Sequence, residues 1–165
     1  MSDCQLRRQR EGIFVDDPIP NNSLVQTVLM ADDDADDRFF IYDAFKAYHW
    51  NGEVRFVEDG EELMAYLRRR GKYADPKLSP RPSIILLDLN MPRKDGRKVL
   101  LEIKTDPGLM EIPIIIWTTS DHKEDRIMCI KAGANAYMTK PDNYADLQKA
   151  VELLCMRWLS GNDRT

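Results

Sequence analysis

The chain has 165 residues, 43% of them hydrophobic and 32% charged, with a formal net charge of −4. That is enough length for one domain with a real core, and the acidic balance argues against a general nucleic-acid or membrane-surface binder. The three cysteines Cys4, Cys129 and Cys155 are far apart and form no CxxC pair, which speaks against zinc or a disulfide framework and for reduced thiols in a cytoplasmic protein.

In chain order, "MSDCQLRRQREGIFVDDP" is polar and holds no signal-peptide core. Residues 1–23 lack periodicity, carry Pro18 and Pro20, and read as a flexible extension. A first strand is predicted over residues 25–31. It runs straight into "DDDADDR", a charge density that lowers the stability of a compact state. The plain reading is a solvated turn with a helix cap; the sharper one is a nest for a multivalent cation. A helix follows over 36–48, a strand over 54–57 and a helix over 60–69, whose Arg68, Arg69 and Arg70 read as a solvated basic end. Residues 71–82, with three prolines, form a long surface loop.

"SIILLD" gives a strand over 83–87, and a helix over 96–104 closes at "TDPG". "IPIIIWTTS" gives a strand over 112–117, followed by a helix over 123–132 with Gly133 as its C-cap. The last strand covers 136–139 and the last helix 143–159, with a short tail at 161–165. Continuous β-branched runs suit strands covered on both faces. Strands alternating with helices predict an α/β fold: five βα units, a doubly wound parallel sheet, and one domain over 24–160. No apolar run reaches the ~20 residues of a membrane span.

Open α/β sheets bind ligands beyond the carboxyl ends of their strands. Strand one ends at Asp32 and Asp33, strand three at Asp88, strand four at Thr118 and strand five at Lys140. Were these strands neighbours, three carboxylates, a hydroxyl and an ammonium would converge on one edge. Asp34, Asp36 and Asp37 sit where a helix N-cap and first turn favour acids, and read as that. His49 and His122 lack partners at metal-ligand spacing and read as surface histidines.

"LLDLNMPRKDG" resembles the D-x-x-M-P-x-x-[DN]-G pattern of response-regulator receiver domains, and "KAGANAYMTKP" resembles their approach to a final lysine. Asp32, Asp33, Asp88, Thr118 and Lys140 fall in the family's order over roughly residues 25–159. The resemblance implies the CheY-like strand order 2-1-3-4-5. It makes Asp88 the phosphoacceptor for a partner histidine kinase, by Mg²⁺-dependent self-phosphorylation and autodephosphorylation rather than turnover of a separate substrate. It implies that Asp32, Asp33, Asp88 and the backbone carbonyl of Asn90 hold Mg²⁺, a hard ion suited to oxygen donors. Lys140 and Thr118 would meet phosphoryl oxygens. Thr119 is the competing hydroxyl, and the spacing to Lys140 favours Thr118.

The family pattern further makes Tyr137 a switch aromatic against a half-buried strand tyrosine, Asn90 and Ser120 tuners of phosphoryl lifetime, and the Lys140–Pro141 bond cis. Trp50 and the long loop over 71–82 resemble the subgroup associated with phytochrome histidine kinases.

Six residues follow Leu159, too few for an output module, so a stand-alone receiver signalling through protein contacts is expected. On the last helix Tyr144, Leu147, Val151, Leu154 and Trp158 form a core stripe. Leu153, Met156 and Leu159 lie off that stripe and suggest a homodimer or partner surface; the alternative is that Leu153 or Met156 packs beneath the N-terminal extension. An acid-cluster phosphatase would need a general acid at Asn90. A receiver-shaped module that never handles phosphate would be missing something from the acceptor set, and nothing is. Nucleotide binding is disfavoured because neither GxGxxG nor GxxxxGK[ST] occurs.

Overall fold

The computed structural model describes residues 25–159; the predicted extension, the tail and Cys4 lie outside them. Five parallel strands, β1 (Thr27–Ala31), β2 (Glu53–Val57), β3 (Ile84–Leu87), β4 (Ile114–Thr118) and β5 (Ala136–Thr139), pair in the order β2-β1-β3-β4-β5. Five helices alternate with them: α1 (Ala35–Ala47), α2 (Gly60–Leu67), α3 (Gly96–Thr105), α4 (Lys123–Lys131) and α5 (Tyr144–Leu154). The (βα)5 doubly wound sheet and its strand order are as expected.

Strand alternation sorts the core into two layers. Leu29, Ile85, Leu87, Ile114 and Ile116 face α2, α3 and α4, packing with Leu63, Val99, Ile103 and Cys129. Val28, Met30, Ile84, Leu86, Ile115 and Trp117 face the other way, onto Ile41, Phe45, Leu147, Val151 and Leu154 of α1 and α5. All residues of β1, β3 and β4 are buried, which explains why their sequences run apolar without alternation.

Local chemistry sets the helix ends. Asp34 caps α1, its side chain accepting from the amides of Asp36 and Asp37; Asp59, Asp95 and Asn143 cap α2, α3 and α5 in the same way. Gly133 follows α4 at φ 107°, the left-handed turn that glycine tolerates. β1 starts two residues later than expected, leaving Val25 exposed, and β4 starts after Pro113, whose carbonyl accepts from Ile85 N at 2.9 Å. The 71–82 loop is pinned by Tyr66 Oη donating to Pro80 O (2.8 Å), Ser79 Oγ to Tyr73 O (2.8 Å) and Arg55 to Leu78 O (2.9 Å). Among the described residues no helix is long and apolar enough to cross a membrane.

Three expectations need correction. The last helix is α-helical only to Leu154 and widens into a π turn over Cys155–Leu159. The wider turn rotates the end of the helix, so Leu159 is 1% exposed in the core, whereas Leu153 and Met156 remain outside. The Lys140–Pro141 bond is trans, since the described residues contain no cis peptide; trans is the lower-energy form for X–Pro bonds in general. Tyr144, placed by its spacing on the core stripe, stands at the rim and donates its hydroxyl to Asp43 of α1.

Candidate functional site

The sheet order brings the ends of β1, β3, β4 and β5 to one edge. Asp32 leaves β1 fully buried: its amide donates to Val57 O (3.1 Å), and its Oδ1 accepts from Asp34 N (2.9 Å). Asp33, next along, is exposed. Asp88 follows β3 at 6% exposure; its Oδ1 accepts from Asn90 N (3.2 Å) and its Oδ2 from Lys140 Nζ (3.1 Å). Carboxylate oxygens of Asp32, Asp33 and Asp88 all lie within 4.8 Å of one another. Sequence reasoning placed these three together correctly.

Lys140, on the β5–α5 connection, is the positive counterweight. Its Nζ stands 2.6 Å from Asp32 Oδ2, 2.7 Å from Asp37 Oδ2 and 3.1 Å from Asp88 Oδ2. Asp32 Oδ2 is buried, and this ion pair with Lys140 is the compensation it meets among the described residues. Burial pushes the Asp32 carboxyl up to about 6, against the pull of Lys140. Burial opposes the charge on Lys140 too, but the neighbouring carboxylates outweigh it and hold the ammonium above the usual lysine range.

A buried carboxylate beside two more, with one ammonium for all three, suits a divalent cation with oxygen ligands. Asp32, Asp33 and Asp88 are the residues able to hold one. Asn90 is exposed and joined to the cluster through its amide hydrogen bond to Asp88.

Thr118 ends β4 fully buried at the sheet edge that carries the carboxylates, while Thr119 is exposed. Ser120 N donates to Thr118 Oγ1 (3.3 Å), Ser120 Oγ donates to Asp125 Oδ2 (2.7 Å), and Tyr137 Oη donates to Ser120 O (2.8 Å). The Tyr137 ring is 8% exposed, inside the core rather than half-buried, and Arg126 covers it at 4.9 Å. Arg97 at the start of α3 grips Asp125 of α4 with two bonds of 2.9 Å. The Ser120 hydroxyl and Arg97 together hold the Asp125 carboxyl below its ordinary range.

Sequence reasoning missed two features. Asp37 caps nothing: beyond serving α1 as a first-turn acid, it contacts Lys140, 103 residues away. Its place one turn beyond Asp33, at a helix N-terminus facing the strand ends, was the available signal. The Arg97–Asp125 pair had none, because each residue reads as an ordinary helix-surface charge. His49 and His122 are exposed, as expected.

The model of the response regulator receiver domain family matches residues 28–152. The chain is 39% identical over 134 residues to response regulator Rcp1 of Synechocystis sp., covering 81% of this chain and 89% of that protein. The solved structure of the phosphorylated cyanobacterial phytochrome response regulator RcpA superposes with TM-score 0.77 at 39% identity, over 83% of this chain and 96% of that one. The Mn²⁺-bound form of Rcp1 superposes with TM-score 0.75 at 38% identity, over 82% and 96%.

Proposed function

Because this chain belongs to the response regulator receiver family, we propose that it takes a phosphoryl group onto Asp88 from a histidine kinase. It is a receiver-domain response regulator, similar to regulators described with phytochromes. The observation that carries the assignment to Asp88 is the convergence on it of Lys140 at 3.1 Å and of the Asp32 and Asp33 carboxylates within 4.8 Å.

A carboxylate accepts a phosphoryl group poorly while negative charge around it is uncompensated. Lys140 offers an ammonium donor for one phosphoryl oxygen, and the Thr118 hydroxyl a donor for another. Asp32, Asp33 and Asp88, with the Asn90 carbonyl, would hold Mg²⁺, which when bound neutralises charge shared by carboxylate and phosphoryl oxygens. The Asp88 oxygen forms its bond to phosphorus as the bond to the donor's imidazole nitrogen breaks. Asn90 and Ser120, beside the acceptor and the hydroxyl, tune how long the phosphoryl group lasts. Tyr137 carries the change outward through the Ser120 carbonyl it holds.

The finer reading places the protein downstream of a phytochrome-type kinase, in the cytoplasm, with free Cys129 and Cys155 buried as thiols. It makes residues 24–160 the receiver and places a homodimer contact on the last helix at Leu153 and Met156, 54% and 55% exposed. Sedimentation with and without a phosphoryl donor tests that contact; a monomer under both conditions refutes it.

The acceptor is tested by incubation with acetyl phosphate and Mg²⁺, read by intact mass. The wild-type chain should gain the mass of one phosphoryl group, and Asp88→Asn should gain none. A gain that persists in Asp88→Asn moves the acceptor elsewhere.

A further inference from the structure

Lys140 is shared with one more carboxylate than phosphoryl acceptance requires. Its Nζ meets Asp37 Oδ2 at 2.7 Å, closer than the 3.1 Å to Asp88. The Asp37 side chain is 35% exposed and that of Lys140 10%, so the pair is partly withdrawn from water. Both residues line a cavity of about 280 Å³ between α1 and the β5–α5 connection, together with Phe40, Pro141 and Tyr144. Asp37 is no part of the carboxylate trio whose oxygens cluster within 4.8 Å.

We propose that Asp37 is a positioning residue that shares the Lys140 ammonium with Asp88 and so restrains its move onto an incoming phosphoryl group. The inference rests on the reading of Asp88 as acceptor. An ammonium has three donors and no acceptor, and here Asp37 and Asp88 each take a hydrogen bond while Asp32 crowds the same charge. As the Asp88 oxygen–phosphorus bond forms and the bond from phosphorus to a leaving acetate breaks, negative charge builds on the phosphoryl oxygens. Those oxygens compete with Asp37 for the Lys140 ammonium. Asp37 therefore restrains acceptance, and its charge, not its shape, is the restraint.

Asp37→Asn keeps the side-chain outline and removes the charge. With acetyl phosphate and saturating Mg²⁺, its phosphorylation rate, followed by intact mass, should rise about two- to fivefold, the span of a partly exposed ion pair. Asp37→Glu, which keeps the carboxylate, should return the rate toward wild type. In urea unfolding of the unphosphorylated protein, Asp37→Asn should cost stability in the wild-type background and little in Lys140→Met. The competing explanation is that Asp37 serves only the α1 dipole; it predicts the same stability cost in both backgrounds and an unchanged rate. An unchanged rate in Asp37→Asn, a Glu variant as fast as the Asn variant, or equal stability costs overturns the inference. A wild-type chain that gains no phosphoryl mass overturns the acceptor reading itself, a result distinct from any of these.

Discussion

Gly96, the last residue of the motif that follows Asp88, opens α3 against the acceptor's main chain. A Cβ added there would stand 2.2 Å from the Asp88 carbonyl oxygen and 2.8 Å from Leu89 Cα. Both neighbours are backbone and cannot swing aside as a side-chain tip would. Gly96 N also donates to Leu89 O at 3.0 Å, holding helix and loop together. Gly96→Ala must move the Asp88 main chain by roughly 1 Å, and overpacking of this kind costs about 1–3 kcal/mol. Better helix propensity returns at most about 1 kcal/mol. A net loss of about 1 kcal/mol in a chain of this size corresponds to a fall in Tm of about 2–4 °C. Gly108→Ala is the control: its new Cβ would meet only the flexible Asp106 Oδ1, at 3.4 Å, and should cost under about 0.5 kcal/mol. Urea unfolding followed by fluorescence of buried Trp117 measures both, and acetyl phosphate labelling should slow in Gly96→Ala because the acceptor's backbone has shifted. If Gly96→Ala unfolds with the midpoint of Gly108→Ala, the steric account of this glycine is wrong.

Leu159→Ala should cost about 2–4 kcal/mol, because the side chain is 1% exposed in the core, whereas Leu153→Ala should cost under about 0.5 kcal/mol; comparable costs in urea unfolding would contradict the rotation at the π turn. Burial pushes the Cys129 and Cys155 thiols up to about 11, so native protein treated with iodoacetamide at pH 8 should show neither modified in a peptide map, and both after unfolding. Burial also pushes the Tyr66 and Tyr73 phenols up to about 12, the Glu62 carboxylate adding to the shift at Tyr73. The folded state then keeps protons that the unfolded state loses above its pKa of about 10, so stability should fall as pH rises from about 10 to 12. Unfolding free energies that stay flat over that window would refute it. Asp125→Asn leaves Arg97 with a weaker partner on α4 and should lower stability by about 1 kcal/mol; an unchanged urea midpoint would show the pair to be idle.

Much of the fold was legible because its signals are local. The apolar runs of β3 and β4 are continuous since both faces are covered, and that pattern needs no knowledge of neighbours. Asp88 and Lys140 were legible through the motifs around them. The role of Asp37 was not, because its contact joins the first turn of α1 to the far end of β5, and a first-turn acid has a sufficient local explanation of its own. Arg97 and Asp125 are helix-surface charges whose pairing depends on how α3 and α4 are set on the sheet. The π turn escaped because residues 155–159 carry an ordinary helical pattern, and only packing against the sheet decides whether Leu159 or its neighbour turns inward.

Ser120 ties three neighbours to one short piece of main chain: its carbonyl accepts from the Tyr137 phenol, its hydroxyl donates to Asp125, and its amide donates to the Thr118 hydroxyl. Asp125 in turn is gripped by Arg97. A displacement of Ser120 therefore takes a hydrogen bond from the Tyr137 phenol and another from the Asp125 carboxylate, which keeps its grip on Arg97. The connection between β4 and α4 is thus fastened at once to β5 and, by way of Asp125 and Arg97, to the front ends of α4 and α3.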